Sequence, residues 1–86
     1  MGNHNSNYLK VLILGHKTPG KELFTGMLNP KENVMKTETV CFSQFPVNKD
    51  IKFDLWDLNG MLPHLWNHHF LGSQCIVFHI DRAMIN

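Results

Sequence analysis

The residues with the clearest chemical potential lie between two glycines. Gly15-His16-Lys17-Thr18-Pro19-Gly20-Lys21 satisfies G-x-x-x-x-G-K, the spacing in which backbone N–H groups and a helix N-terminus surround a polyphosphate while the lysine neutralises it. The next position should offer a Ser or Thr hydroxyl to Mg²⁺, and it holds Glu22. Like charges about 5 Å apart cost on the order of 1–3 kcal/mol for effective dielectrics of about 80 down to 20, which is about tenfold or more in affinity. A carboxylate oxygen can still ligate Mg²⁺, so the residues argue for weakened binding, not for its loss. Pro19 is a second defect, because it lacks the N–H that its place in the loop would offer.

The elements that must position this loop follow from patterning. Residues 9–14 are apolar on both faces apart from Lys10, as in a central strand covered on both sides. After the loop, Leu23, Phe24, Met27 and Leu28 fall at helical spacing and predict one buried stripe. Gly26 weakens that helix by about 1 kcal/mol, and Asn29-Pro30 ends it. Residues 31–38 are polar and irregular, a loop by composition. Residues 39–47 and 51–57 read as strands of a hairpin joined at Asn48-Lys49-Asp50, with Ile51, Phe53 and Leu55 on one face and Lys52, Asp54 and Trp56 on the other. Pro46 belongs at an edge or a bulge. Residues 63–71 predict a second helix, and Cys75 to Ile80 a second two-faced apolar strand. The order strand, loop, helix, hairpin, helix, strand predicts an α/β fold with helices on both faces of the sheet.

Composition narrows the rest. Eighty-six residues, 43% of them hydrophobic, with a net charge of +1 suit one small, marginally stable domain, since a chain of this size buries only about 60% of its unfolded surface. Near-neutral charge without a basic run gives no footprint for nucleic acid. Cys41 and Cys75 lack zinc or disulfide-framework spacing and read as reduced, small apolar residues of an intracellular protein. His64 and His68 stand four apart on the second helix, but no third ligand is evident. No apolar run approaches the roughly 20 residues that span a bilayer. Met1-Gly2-Asn3-His4-Asn5-Ser6 fits M-G-x-x-x-[ST], which permits a myristoyl chain on Gly2; one such chain holds a membrane only transiently.

Four segments carry a more specific resemblance. Thr39-Val40-Cys41-Phe42, Leu55-Trp56-Asp57-Leu58-Asn59-Gly60-Met61, Leu65-Trp66-Asn67-His68-His69-Phe70 and Ile76-Val77-Phe78-His79-Ile80-Asp81 stand in the same order, at nearly the same spacing, as their counterparts in the Arf (ADP-ribosylation factor) and Arf-like small GTPases. With the loop, the chain resembles the first half of such a domain, a truncated P-loop NTPase fold with a partial sheet. Residues 1–8 are then a polar tail, and residues 9–86 a partial G domain.

The resemblance implies GTP or GDP and Mg²⁺ as ligands. Gly15, His16, Lys17, Thr18, Gly20, Lys21, Glu22, Thr39 and Gly60 would line the nucleotide, and Thr39 and Asp57, with Glu22 more doubtfully, would hold the metal. Phe42, Trp56 and His69 would form the aromatic surface that meets effectors and exchange factors; for Trp56, core packing is an equal alternative. It also implies a switch in membrane traffic, cytoplasmic and peripheral at the Golgi or another endomembrane. Met61 stands where the family's water-orienting glutamine should be, and a thioether cannot do that work, so hydrolysis is expected to be slow or absent. The guanine-reading segments would lie beyond Asn86. The chain is therefore expected to be an incomplete product, or to need a partner chain over the strand from Cys75 to Ile80. The alternative is a non-catalytic interaction module, or a non-functional fragment, presenting the Arf-like hairpin surface.

Overall fold

A computed structural model describes residues 7–80. It contains β1 (Asn7–Leu14), α1 (Pro19–Gly26), β2 (Glu32–Lys36), β3 (Val40–Pro46), β4 (Ile51–Leu58), a 3-10 helix (Pro63–His69) and β5 (Cys75–Phe78). The strands form one mixed sheet in the order β2-β3-β4-β1-β5. β1 runs parallel to β4 on one side and to β5 on the other; β2, β3 and β4 are antiparallel neighbours. This is the α/β architecture the patterning predicts, with β1 inside the sheet.

The alternation of β1 divides the core. Val11, Ile13 and Leu55 are buried on one face with Phe24, Leu28, Phe45, Phe53 and Val77 against them. Leu12, Leu14 and Leu58 fill the other, under Val40, Trp56 and Trp66. α1 thus covers the first face and the 3-10 helix the second. No helix among the described residues is long and apolar enough to cross a membrane.

Four sequence expectations need correction. The helical stripe is narrower than its spacing suggests: Phe24 and Leu28 reach the core, whereas Leu23 and Met27 are 70% and 73% exposed. An eight-residue helix lies on the sheet along one line, and the flanking apolar residues overhang it. Residues 32–36 form a strand where a loop was expected. All five residues are exposed, so no alternation marks them; polar groups hold them instead. Asn33 Nδ2 donates to Gln44 Oε1 at 2.6 Å, and Lys52 Nζ reaches Glu32 Oε1 at 3.1 Å across β3. The second helix is 3-10, not α: Leu62 supplies no side-chain cap, and Trp66 Nε1, donating to the Asn59 carbonyl at 3.0 Å, holds its turns close to the preceding loop. Finally, β1 takes in Asn7 and Tyr8, assigned by composition to the tail. Pro46 ends β3 opposite Lys52, beyond Gln44, where β2 pairing starts.

The two sheet edges differ. β2 carries Glu32 and Lys36, and its register shifts between Glu32 and Met35, where Asn33 sits at φ 51°; charges and a bulge are the usual protection of an edge. β5 has neither. Ile76 and Phe78 are more than half exposed and Cys75 is exposed.

Two outcomes follow. Leu12→Ala, at a side chain with 0% exposure, should lower stability by about 2–5 kcal/mol, whereas Leu23→Ala should change it by less than about 0.5 kcal/mol; urea unfolding of both variants measures the difference. Ile76→Lys should reduce concentration-dependent light scattering without altering the circular dichroism spectrum.

Candidate functional site

The loop between β1 and α1 is shaped by its end residues. Gly15 is buried at φ +129°, and a β-carbon on it would overlap the His79 carbonyl oxygen, so both conformation and space require glycine. Thr18 is the N-cap of α1: its Oγ1 accepts from the Lys21 N–H at 3.2 Å, and Pro19 follows in the first turn. Threonine then proline is a favourable start for a helix. It has a chemical cost, because the Lys21 amide is capped from within the chain and Pro19 has no amide hydrogen to give.

Lys21 itself is turned inward. The residue is 4% exposed, and Nζ donates to the Leu58 carbonyl at 2.7 Å and the Gly15 carbonyl at 3.1 Å, with Asp57 Oδ1 at 3.2 Å. An ammonium has three donors, and these three acceptors use them. Gly60 closes the same region from the other side. A β-carbon there would overlap the Lys17 backbone nitrogen and lie 2.5 Å from the Gly15 carbonyl oxygen. The Gly60 backbone therefore rests against the loop.

Beside this contact lies a cleft of about 350 Å³. Lys17, Thr18, Lys21 and Glu22 form one wall, Asp57 to Gly60 the floor, and Lys36, Thr37, Glu38, Val40 and Cys41 the opposite wall. Three lysines and three carboxylates, Glu22, Glu38 and Asp57, therefore line it. Among the described residues, no group of three or more His, Cys, Asp or Glu is arranged as a metal site, and His64 with His68 makes none.

The structure brings some of the expected residues together and not others. Lys17, Thr18, Lys21, Glu22, Asp57 and Gly60 meet at the cleft. Gly15, His16 and Gly20 stand off its walls, Gly15 beneath as a backbone acceptor and His16 in solvent. Thr39 is off the wall too. Its carbonyl accepts from the Asn59 N–H at 2.9 Å, its hydroxyl lies 3.4 Å from Thr37 Oγ1, and Thr37 takes the wall position. Met61 is 68% exposed and is not on the cleft wall. Gly2 and Asp81 lie outside the described residues.

Sequence reasoning missed Lys36, Thr37, Glu38, Cys41 and Asn59. The first three were read as loop, and their clue was the apolar pair Val34-Met35 inside a polar stretch. Asn59 had no role in the expected site. It ties the cleft together: Nδ2 donates to the Glu38 carbonyl at 2.9 Å, Oδ1 accepts from the Met61 N–H at 2.8 Å, and its own carbonyl takes the Trp66 indole.

The second expected constellation is contiguous. Phe42 and Trp56, opposite each other on β3 and β4, meet edge to face at 4.9 Å, and His69 lies over Trp56 at 5.9 Å. Lys10 Nζ lies 5.1 Å from the Trp56 ring centre. Trp56 is only half-buried, so it packs within this cluster and still presents surface.

Removing the inward lysine should be felt. Lys21→Ala strands two carbonyls and a carboxylate, and should cost about 1–3 kcal/mol; Asp57→Asn, which keeps both carbonyl bonds, should cost less. Thermal unfolding at matched pH ranks the pair.

A family model described as the ADP-ribosylation factor family matches residues 2–86 of this chain. The match takes in every segment of the cleft and of the aromatic cluster. With the mixed sheet, the glycine-bounded loop against α1 and the Asp57 to Gly60 floor in place, the chain belongs to the Arf family of small GTPases.

Proposed function

We propose that this chain is an Arf-type nucleotide switch of weakened affinity, which takes a magnesium-bound guanine nucleotide by its phosphates and hydrolyses it slowly. The observation that carries the reading is the cleft, which Lys17, Lys21 and Lys36 line between the glycine-bounded loop and the β2–β3 connection. Lysines from three segments at one concavity match a polyphosphate.

The residues fit the ligand in charge better than in hydrogen bonding. Lys17, Lys21 and Lys36 would face phosphate oxygens. Asp57 and Thr37 would offer oxygen donors to Mg²⁺, with Glu22 and Glu38 also on the cleft walls. Magnesium would supply the charge that offsets the carboxylates and the phosphate. Binding competes with internal bonds: a phosphate must draw Lys21 away from Asp57 and lift Gly60 off the Lys17 amide. Each exchange returns part of the interaction energy, which is the physical basis of the weak affinity. Met61, outside the cleft, leaves no side chain to orient an attacking water.

In this reading the aromatic cluster is the partner surface. Movement of β2 and β3 with nucleotide would alter it, and effectors or exchange factors of the membrane-traffic machinery would read the change. A cytoplasmic protein, held transiently at the Golgi or another endomembrane by a myristoyl chain on Gly2, fits the role.

Titration of fluorescent GDP and GTP, with and without Mg²⁺, tests it. Saturable binding with a micromolar Kd is expected, strengthened by Mg²⁺, weakened by salt and lost in Lys21→Ala at a temperature where that variant is folded by circular dichroism. Asp57→Asn, by freeing a Lys21 donor, should strengthen magnesium-free binding several-fold and remove the gain from Mg²⁺. No saturable binding by the folded wild-type chain would refute the reading.

A further inference from the structure

The aromatic cluster carries a feature that nucleotide binding does not use. His69 and Lys10 both approach the Trp56 ring, His69 at 5.9 Å and the Lys10 ammonium at 5.1 Å. The lysine is the better anchored. Its Nζ donates to the Leu71 carbonyl at 2.9 Å, and its backbone is fixed on both sides, the N–H donating to Gln74 Oε1 at 2.7 Å and the carbonyl accepting from the Gln74 N–H at 3.0 Å. The His69 imidazole makes no hydrogen bond among the described residues, and it stands at the last position of the 3-10 helix.

We propose that His69 is a proton-operated latch on this face: neutral, it lies on Trp56; protonated, it leaves the ring to Lys10.

The charges around it decide the direction. From β1 it faces Lys10, and from its own helix His68, with His64 a turn earlier. On β4, Asp54 is beside Lys10 in the register, but its carboxylate already accepts from Gln44 Nε2 at 3.0 Å. Phe42 on β3 and Trp56 on β4 are uncharged. Burial first, then Lys10 and His68, hold the imidazole below its ordinary value, which is about 6.5. The folded arrangement therefore favours the neutral ring. Its contribution is complete above about 6.5 and is lost as pH falls from there through the lowered folded value. A second cation on a ring already held by Lys10 gains from the π face what the first must lose, and the side chain without a hydrogen bond is the one that moves. Release uncovers Trp56, whose Nε1 is buried with no partner among the described residues, and so changes the shape of the surface offered to another protein. The latch needs no nucleotide to operate.

Two-dimensional ¹H–¹⁵N spectra of the full chain, recorded from about pH 8 to about pH 5, test it. The Trp56 indole and the His69 ring should follow one transition, with a midpoint below about 6.5. Lys10→Met should move that midpoint upward, and His69→Phe should abolish the Trp56 transition. The Trp66 indole, bonded to the Asn59 carbonyl, should stay still throughout and reports an intact fold in each variant. A Trp56 resonance that is flat through the His69 transition, or a transition that persists in His69→Phe, overturns the latch. So does a midpoint unmoved by Lys10→Met, which decides the matter should His69→Phe fail to fold.

Discussion

The buried ammonium of Lys21 is the constraint on which the rest depends. A charge at 4% exposure is costly unless every donor is met, and here the acceptors come from two places, the Gly15 carbonyl just past β1 and, at the end of β4, the Leu58 carbonyl and the Asp57 carboxylate. One side chain thus fixes how the strand ends, the helix start and the loop floor meet. Gly15 must turn through a positive φ to present its carbonyl, and Gly60 must lack a β-carbon to lie against the same loop. The cleft is the space left beside this knot.

The sheet transmits the consequences. Because β4 pairs with β1 on one side and β3 on the other, the residue that meets Lys21, Asp57, has Trp56 as its chain neighbour on the opposite face. The cleft and the aromatic cluster are therefore alternate positions of one strand. Asn59 completes the link by joining the Glu38 carbonyl to the Trp66 indole through one residue. A change in the cleft has a short covalent and hydrogen-bonded route to the partner surface, of the kind that switch proteins exploit.

Much of this was legible in order and type. The unbroken apolar run of residues 11–14 announced an interior strand, and the alternation in residues 51–57 separated Leu55 from Trp56; that Thr18 and Pro19 start α1 came only from the structure. The miss at β2 has a simple cause: a strand exposed on both faces carries no alternation, and its pairing depends on Asn33, Gln44, Glu32 and Lys52 meeting across β3 and β4. Leu23 and Met27 were misjudged for the converse reason. Helical spacing tells which residues share a face, not how wide a surface will cover it.

The sequence alone determined the fold class, the interior place of β1 and the glycine-bounded loop, because each rests on backbone preferences and periodicities that act within a few residues; the family came instead from the resemblance of four segments, in order and spacing, to the Arf pattern. The tertiary structure alone decided that Lys21 turns inward to Asp57 and Leu58, that Thr37 and not Thr39 faces the cleft, and that His69 shares Trp56 with Lys10. Those outcomes depend on partners as far as 37 and 61 residues along the chain, and which of several nearby polar groups wins is settled by strand register and by the need to satisfy every buried donor.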